Sequence, residues 1–134
     1  MHVSDLDFAL LADYAAAEHG KLTVVGGCYT HVRQSQPGVH TTYVACRIRT
    51  VGDEEITLGL SVTAPNHLFQ ITTESPLAPP EGPTYDGSHK SLLFTAQMSI
   101  PLVTNGRYEV GIGINGETVR TLAFEVTLQQ DAPT

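Results

Sequence analysis

The sequence predicts an all-β fold: a two-sheet antiparallel β-sandwich, immunoglobulin-like or jelly-roll-like, with seven to eight strands. Three observations predict it. Apolar and polar residues alternate with period two, most clearly in Ile56-Thr57-Leu58-Gly59-Leu60-Ser61-Val62 and Tyr108-Glu109-Val110-Gly111-Ile112-Gly113-Ile114. Such a strand turns one face to a core and the other to solvent or a partner. Asn115-Gly116 follows the second segment directly, and this dipeptide favours the positive φ angles of a type I′ hairpin turn. Short extended segments then recur with turn-forming residues between them, as in a sandwich. The chain has no tryptophan, so the Cys…Trp…Cys core of antibody domains is absent and only the general architecture is implied.

Residues 8–17 support two readings. Ala9, Leu10, Leu11, Ala12 and the run Ala15-Ala16-Ala17 suit a helix. The alternation of Phe8, Leu10, Ala12 and Tyr14 suits a strand, which is preferred to about Tyr14, with a short turn over residues 15–20. Leu22-Thr23-Val24-Val25 opens a strand expected to continue through Gly26-Gly27 to Val32. Paired glycines there imply a bend, a bulge or a close backbone approach. Residues 42–50 place Val44, Cys46 and Ile48 on one face and Tyr43, Ala45, Arg47 and Arg49 on the other. Residues 68–73 and 91–100 are further strands. The hairpin returns over residues 117–128, where the apolar set Val119, Leu122, Phe124, Val126 slips by one between Val119 and Leu122, predicting a bulge.

Gln36-Pro37-Gly38 and Val51-Gly52-Asp53 combine turn formers. Residues 74–90 carry Pro76, Pro79, Pro80 and Pro83 with Gly82 and Gly87. Four prolines remove four donors and fix four φ angles, so a surface loop is expected, partly polyproline II. Loops of this length are often functional or disordered. Residues 1–128 are read as one domain and 129–134 as a flexible tail.

The chain has 134 residues, 41% of them apolar, enough for one core without a disulfide or metal. Fourteen acidic against seven basic side chains give a net charge of −7. That balance argues against nucleic acid or an anionic membrane as the main partner, since both demand a positive patch. No apolar run approaches the ~20 residues of a membrane helix, and the acidic start Met1-His2-Val3-Ser4-Asp5 is unlike a secretory signal. A cytoplasmic location is expected. Cys28 and Cys46 form no C-x-x-C pair and read as two small buried hydrophobes. A disulfide between them is disfavoured in a reducing compartment, and no neighbouring base activates either thiol.

Phe8-Ala9-Leu10-Leu11-Ala12-Asp13-Tyr14-Ala15, then Gly20-Lys21-Leu22-Thr23-Val24-Val25-Gly26-Gly27, Pro101-Leu102, Gly106-Arg107-Tyr108 and Asn115-Gly116-Glu117 together resemble a family of small bacterial proteins of unknown function. The resemblance covers most of the chain. Its motifs are turns and core strands, so it implies a β-sandwich and transfers no activity and no functional residues.

Six histidines, His2, His19, His31, His40, His67 and His89, lack the short spacings of metal sites. His31 and His40 meet only if the strands flanking Pro37-Gly38 pair. There is no G-x-S-x-G nucleophile elbow. Residues 111–116 fit G-x-G-x-x-G by spacing, but a dinucleotide fingerprint must open a helix, and this run is a strand ending in a hairpin. Asp53-Glu54-Glu55 reads as a solvated turn. Arg47 and Arg49 share a face opposite the core, where arginines guard a surface or clamp an anion. No catalytic residue, metal ligand or cofactor is assigned.

Gly59, Ser61, Gly111 and Gly113 leave the outer face of two strands nearly bare, open to the 74–90 segment or a second copy. The leading expectation is a non-catalytic cytoplasmic protein-interaction module, a homodimer through a sheet face or edge strand, with Tyr43, Arg47, Arg49, Pro79, Pro80 and Tyr85 as contact residues. Its partner is a protein or a second copy, with no nucleic acid and no membrane. The alternative is a small-ligand site, for a carbohydrate or an apolar molecule, using Tyr29, Tyr43, Tyr85 and His31. A hydrolase or metalloenzyme would require His31, His40 or His67 to converge.

Overall fold

The computed structural model describes residues 4–129. Their strands are β1 Asp5–Glu18, β2 Lys21–Gly27, β3 His31–Gln34, β4 Gly38–Val51, β5 Ile56–Thr63, β6 Gln70–Leu77, β7 His89–Leu102, β8 Gly106–Ile114 and β9 Glu117–Leu128. One sheet, A, has the order β2-β1-β4-β7; the other, B, has β3-β9-β8-β5-β6. All pairs are antiparallel except β3 with β9. Among the described residues there is no α-helix, only a 3-10 turn at Pro65–His67.

The alternation read from the sequence builds the core. Ile56, Leu58, Leu60 and Val62 of β5 lie beside Tyr108, Val110, Ile112 and Ile114 of β8. Facing them from sheet A are Val44, Cys46 and Ile48 of β4 with Ile100 and Leu102 of β7. Asn115 (φ 52°) and Gly116 (φ 87°) make the β8–β9 turn with positive φ at both positions, as the type I′ geometry requires. Asn115 also pins this tip to β5: its amide donates to the Thr57 carbonyl at 2.8 Å and its Oδ1 accepts from the Thr57 amide at 2.9 Å. The bulge falls at Val119, since the register passes from Ile112↔Arg120 to Gly113↔Thr118.

Several boundaries differ from the sequence expectation. The described residues form nine strands rather than seven or eight, because the expected strand over residues 22–32 is two. β2 ends at Gly27, Cys28 takes φ 62°, and the chain crosses to sheet B to form β3. The expected turn over residues 15–20 is confined to His19 and Gly20, both at positive φ. The alanine run stays extended because Ala15, Ala16 and Ala17 pair with Val24, Thr23 and Leu22, and pairing overrides a weak helix propensity. Leu68 precedes β6, which starts at Gln70. β6 then runs through Pro76 to Leu77, so the loop expected over residues 74–90 is shortened to residues 78–88. Pro76 is tolerated because β6 is an edge, where a missing donor on the open side breaks no ladder. Of the two cysteines, Cys46 is fully buried but Cys28 is exposed, and both are free thiols. The expected tail lies outside the described residues except Gln129, whose amide donates to the Gln34 carbonyl.

β1 does two things along its length. Up to Ala12 it pairs with β4. Beyond Ala12 it pairs only with β2. The bend is shared by Gly26 (φ 63°), where a Cβ would overlap the Asp13 carboxylate at 2.2 Å, so the glycine is required twice over. The β1–β2 arm lies over the outer face of sheet A. It brings β1 close to β7 although β4 separates them in the sheet, and Ala17 and Gly20 share a surface hollow with Ser91 and Leu93. Ala45 points outward from β4 yet is fully buried.

Candidate interaction edge

The expected contact residues fall into two groups. Tyr43, Arg47 and Arg49 stand on the outer face of β4, and Tyr85 reaches that face from the 78–88 loop. The register skips Asp7 between Leu6↔Ile48 and Phe8↔Arg47. This bulge turns two successive side chains towards one arginine. The Arg47 guanidinium pairs with the Asp7 carboxylate and stacks on Phe8 (5.6 Å) and Tyr85 (5.3 Å). Its pKa is raised, first by the Asp7 hydrogen bond. Arg49 meets Asp86 at 2.9 Å, His89 at 3.3 Å and Asp5 at 3.8 Å. Two arginines thus strap the 78–88 loop onto sheet A. Tyr43 belongs elsewhere on the face, edge-on to Tyr14 of the arm at 5.3 Å. Pro79 and Pro80 are half-buried in the loop.

The bare glycine face belongs to sheet B, whereas the strap closes on sheet A. A shallow groove on the bare face is lined by Thr57, Gly59, Ser61, Thr72, Gly111 and Gly113 among others. A Cβ on Gly111 would meet Ser61 Oγ at 2.5 Å, so close strand packing uses this glycine.

His31, His40 and His67 do not form one cluster. His31 bonds its neighbour Thr30, while His40 bonds Tyr29. Among the described residues no three metal-binding side chains gather. Burial pushes the Cys46 thiol up to about 11, which leaves it protonated and without nucleophilic character at neutral pH.

Tyr29 instead closes one flank of the sandwich. Its hydroxyl donates to Thr42 Oγ1 at 2.7 Å, and Thr42 Oγ1 donates to the Ala12 carbonyl at 3.0 Å. The His40 Nε2 lies 2.8 Å from the same hydroxyl. With the tyrosine proton given to Thr42, His40 is the donor. The Tyr29 ring packs on Phe124 and His40, and Phe124 stacks on Tyr108. Burial raises the Tyr29 pKa, opposed by the Thr42 bond, and Asp13 raises it further. Burial lowers the His40 pKa against an opposing pull from Asp13.

The opposite flank is open. β6 and β7 end their sheets there, and between them runs a slot of about 260 Å³. Leu60, Val62, Ile71, Phe94, Ala96 and Met98 supply its apolar walls. No sequence motif marked it, because which strands are edges depends on strand order.

The four edges of the two sheets are not alike. β3 is four residues long. β2 is bent by Gly26 and carries Lys21. β6 holds Glu74 and Pro76. Shortness, bends, charges and proline are the devices that keep an edge from recruiting another strand. β7 carries such devices only at its ends: it is fourteen residues long and includes Lys90 and Pro101, but the run Ser91 to Ile100 between them contains neither charge nor proline. That absence was visible in the sequence and becomes meaningful once β7 is seen to be an edge.

Solved structures of similar shape share little sequence. The C-terminal domain of wzt matches with a TM-score of 0.52 at 12% identity, over 95% of this chain and 75% of that one. The alkylpurine DNA glycosylase AlkC of Pseudomonas fluorescens, solved bound to DNA containing an abasic site analog, matches at 0.49 and 10% identity, over 73% of this chain. A β-glucosidase from Listeria innocua, in complex with glucose, matches at 0.44 and 9% identity, over 95% of this chain. This chain spans 27% of AlkC and 16% of the β-glucosidase. At these identities the likeness to the wzt domain concerns the fold alone. No curated protein matches the sequence. The model of the family of unknown function DUF6941 matches residues 7–127, and the chain belongs to that family.

Proposed function

We propose that this protein is a non-catalytic protein-interaction module that works by strand addition at β7, with self-association as its first form. The carrying observation is the uncharged, proline-free run Ser91 to Ile100 of the β7 edge beside an apolar slot; Lys90 and Pro101 guard only its ends, whereas the other three end strands are short, bent or interrupted along their length. An added strand supplies main-chain hydrogen bonds along the edge, and its alternate side chains enter the slot for specificity. The net charge of −7 supports a protein partner over nucleic acid. An exposed free thiol at Cys28 supports a reducing, cytoplasmic setting. The small-ligand reading built on Tyr29, Tyr43, Tyr85 and His31 loses ground, since the β6–β7 slot, the bare-face groove of sheet B and the hollow under the arm are lined by none of them.

Light scattering across a concentration series tests the proposal. The wild type is expected to form dimers, and Thr95→Pro to remain monomeric with an unchanged far-ultraviolet spectrum. Gln97→Pro serves as a second edge block if the first fails to fold. A monomer at every concentration, or a dimer indifferent to both prolines, overturns the proposal.

A further inference from the structure

We infer that the partner of β7 is β7 of a second copy, antiparallel and centred on Thr95, so that two four-stranded sheets fuse into one. This rests on the strand-addition reading above and specifies its partner and register.

The first argument is the pattern of free backbone groups. His89 bonds away from β4 at both ends: its amide donates to the Asp86 carbonyl and its carbonyl accepts from the Tyr85 amide, both at 3.0 Å. In an antiparallel ladder, residues alternate between bonding one neighbour and facing the other side. Ser91, Leu93, Thr95, Gln97 and Ser99 therefore point their N–H and C=O to the open side. The strap occupies that side at His89. Pro101 belongs to the same series and has no N–H to offer. The available run is bounded at both ends, and its midpoint is Thr95.

Register follows. With Thr95 opposite Thr95 of the second copy, Ser91 meets Ser99, Leu93 meets Gln97, and every member of the run exchanges its two bonds with its opposite. A shift by two residues in one direction sets Ser99 against the strapped His89. A shift in the other sets Ser91 against Pro101. Only the centred register uses the whole run.

Side chains agree with the backbone. The even series faces the interior, where Phe94, Ala96 and Met98 line the slot. In the centred register Phe94 lies opposite Ala96 of the second copy and Leu92 opposite Met98, large against small at the centre. The two-residue shift towards His89 sets Phe94 against Phe94 and crowds the axis, and the opposite shift sets Ala96 against Ala96 and leaves the axis underfilled. The slots of the two copies meet across the axis, and each mouth is covered by the other copy's inner-face side chains. On the outer face, like charges do not meet, since the open run has none.

Cysteine cross-linking reads the register. Directly opposed residues in hydrogen-bonded pairs have Cα atoms about 5.5 Å apart, within the span of a disulfide. Cys28 is first replaced by glycine, which suits its positive φ; buried Cys46 stays. On mild oxidation Thr95→Cys is expected to give a covalent dimer as its main product. Ser91→Cys and Ser99→Cys, each alone, are expected to give little, because like positions lie roughly 25 Å apart at ~3.3 Å per residue. Mixing the two is expected to restore cross-linking. If the wild type dimerises but Leu93→Cys cross-links and Thr95→Cys does not, the register is overturned and strand addition stands. If the wild type is monomeric throughout, strand addition itself fails and takes the register with it.

Discussion

The two long flanks of the sandwich are closed by different means. Where β1 lies near β9, the chain crosses between sheets at residues 28–30 and leaves Tyr29 behind as a plug, hydrogen-bonded to Thr42 and His40 and packed on Phe124. Where β6 faces β7, no described residue plays that part, and Phe94 and Met98 line an open slot. A crossover delivers a side chain to the gap it spans. The 78–88 loop also links the two sheets, but its aromatic Tyr85 is turned away to Arg47 on the outer face. The open flank therefore depends on something beyond its own crossover for closure.

The comparison is sharpest in two matched truncations. Phe124→Ala is expected to cost about 3–5 kcal/mol, because Phe124 is almost wholly buried among three rings. Phe94→Ala is expected to cost about 1–2 kcal/mol in the monomer, since its ring is already part-exposed, yet to weaken the dimer. Urea unfolding at low protein concentration measures the first quantity and light scattering the second. Equal losses of stability would erase the distinction between the flanks.

Tyr29→Phe keeps the plug's ring and removes its hydroxyl. A loss of about 1–2 kcal/mol is expected, as His40 and Thr42 lose a part-buried partner. His40 then gives the sealed flank a pH dependence. Its folded pKa is lowered by burial, so below the unfolded value of ~6.5 the unfolded chain binds the proton more readily. Stability contributed by neutral His40 is complete above about pH 6.5 and is lost as pH falls towards the folded value. The expected slope appears in thermal melts between neutral and mildly acid pH. His40→Gln should flatten it; an unchanged slope assigns the effect to other groups.

The same contrast governs what could be read from the residues. Sheet B showed itself plainly, because its outer face is left to Gly59, Ser61, Gly111 and Gly113 and alternation survives. Sheet A was harder. Its arm covers the outer face, so Leu10, Ala12 and Ala45 are apolar on the side that ought to be polar, and residues 8–17 look as much like a helix as a strand. Gly26-Gly27 implied a bend within one continuing strand, but neither the end of the strand there nor the crossing to sheet B that follows. Tyr43, Arg47 and Arg49 were legible as one outward face, but not that Tyr85 joins it from the loop. The Asp7 bulge and the loop that bring partners to the arginines depend on register. The β7 edge was hidden for a related reason: an uncharged run is unremarkable until its place at the end of a sheet is known.

The smallest expected effect concerns the strap. Arg47→Ala removes the Asp7 pair and two ring contacts, but its side chain and that of Asp7 are each about a third exposed. Solvent and salt screen such pairs, so the loss is expected to be about 0.2–1 kcal/mol and to shrink at high ionic strength. Its informative consequence lies elsewhere. The strap holds Tyr85 and Asp86 against His89, and that contact sets one end of the open run on β7. Loosening it with Arg47→Ala and Arg49→Ala together should expose residues 78–88 to limited proteolysis while leaving the melting temperature nearly unchanged. It should also admit registers displaced towards His89, so that oxidation of Thr95→Cys in this background yields less covalent dimer at the same total dimer fraction. An undiminished yield would show that the side chains at Phe94 and Ala96, rather than the strap, choose the register.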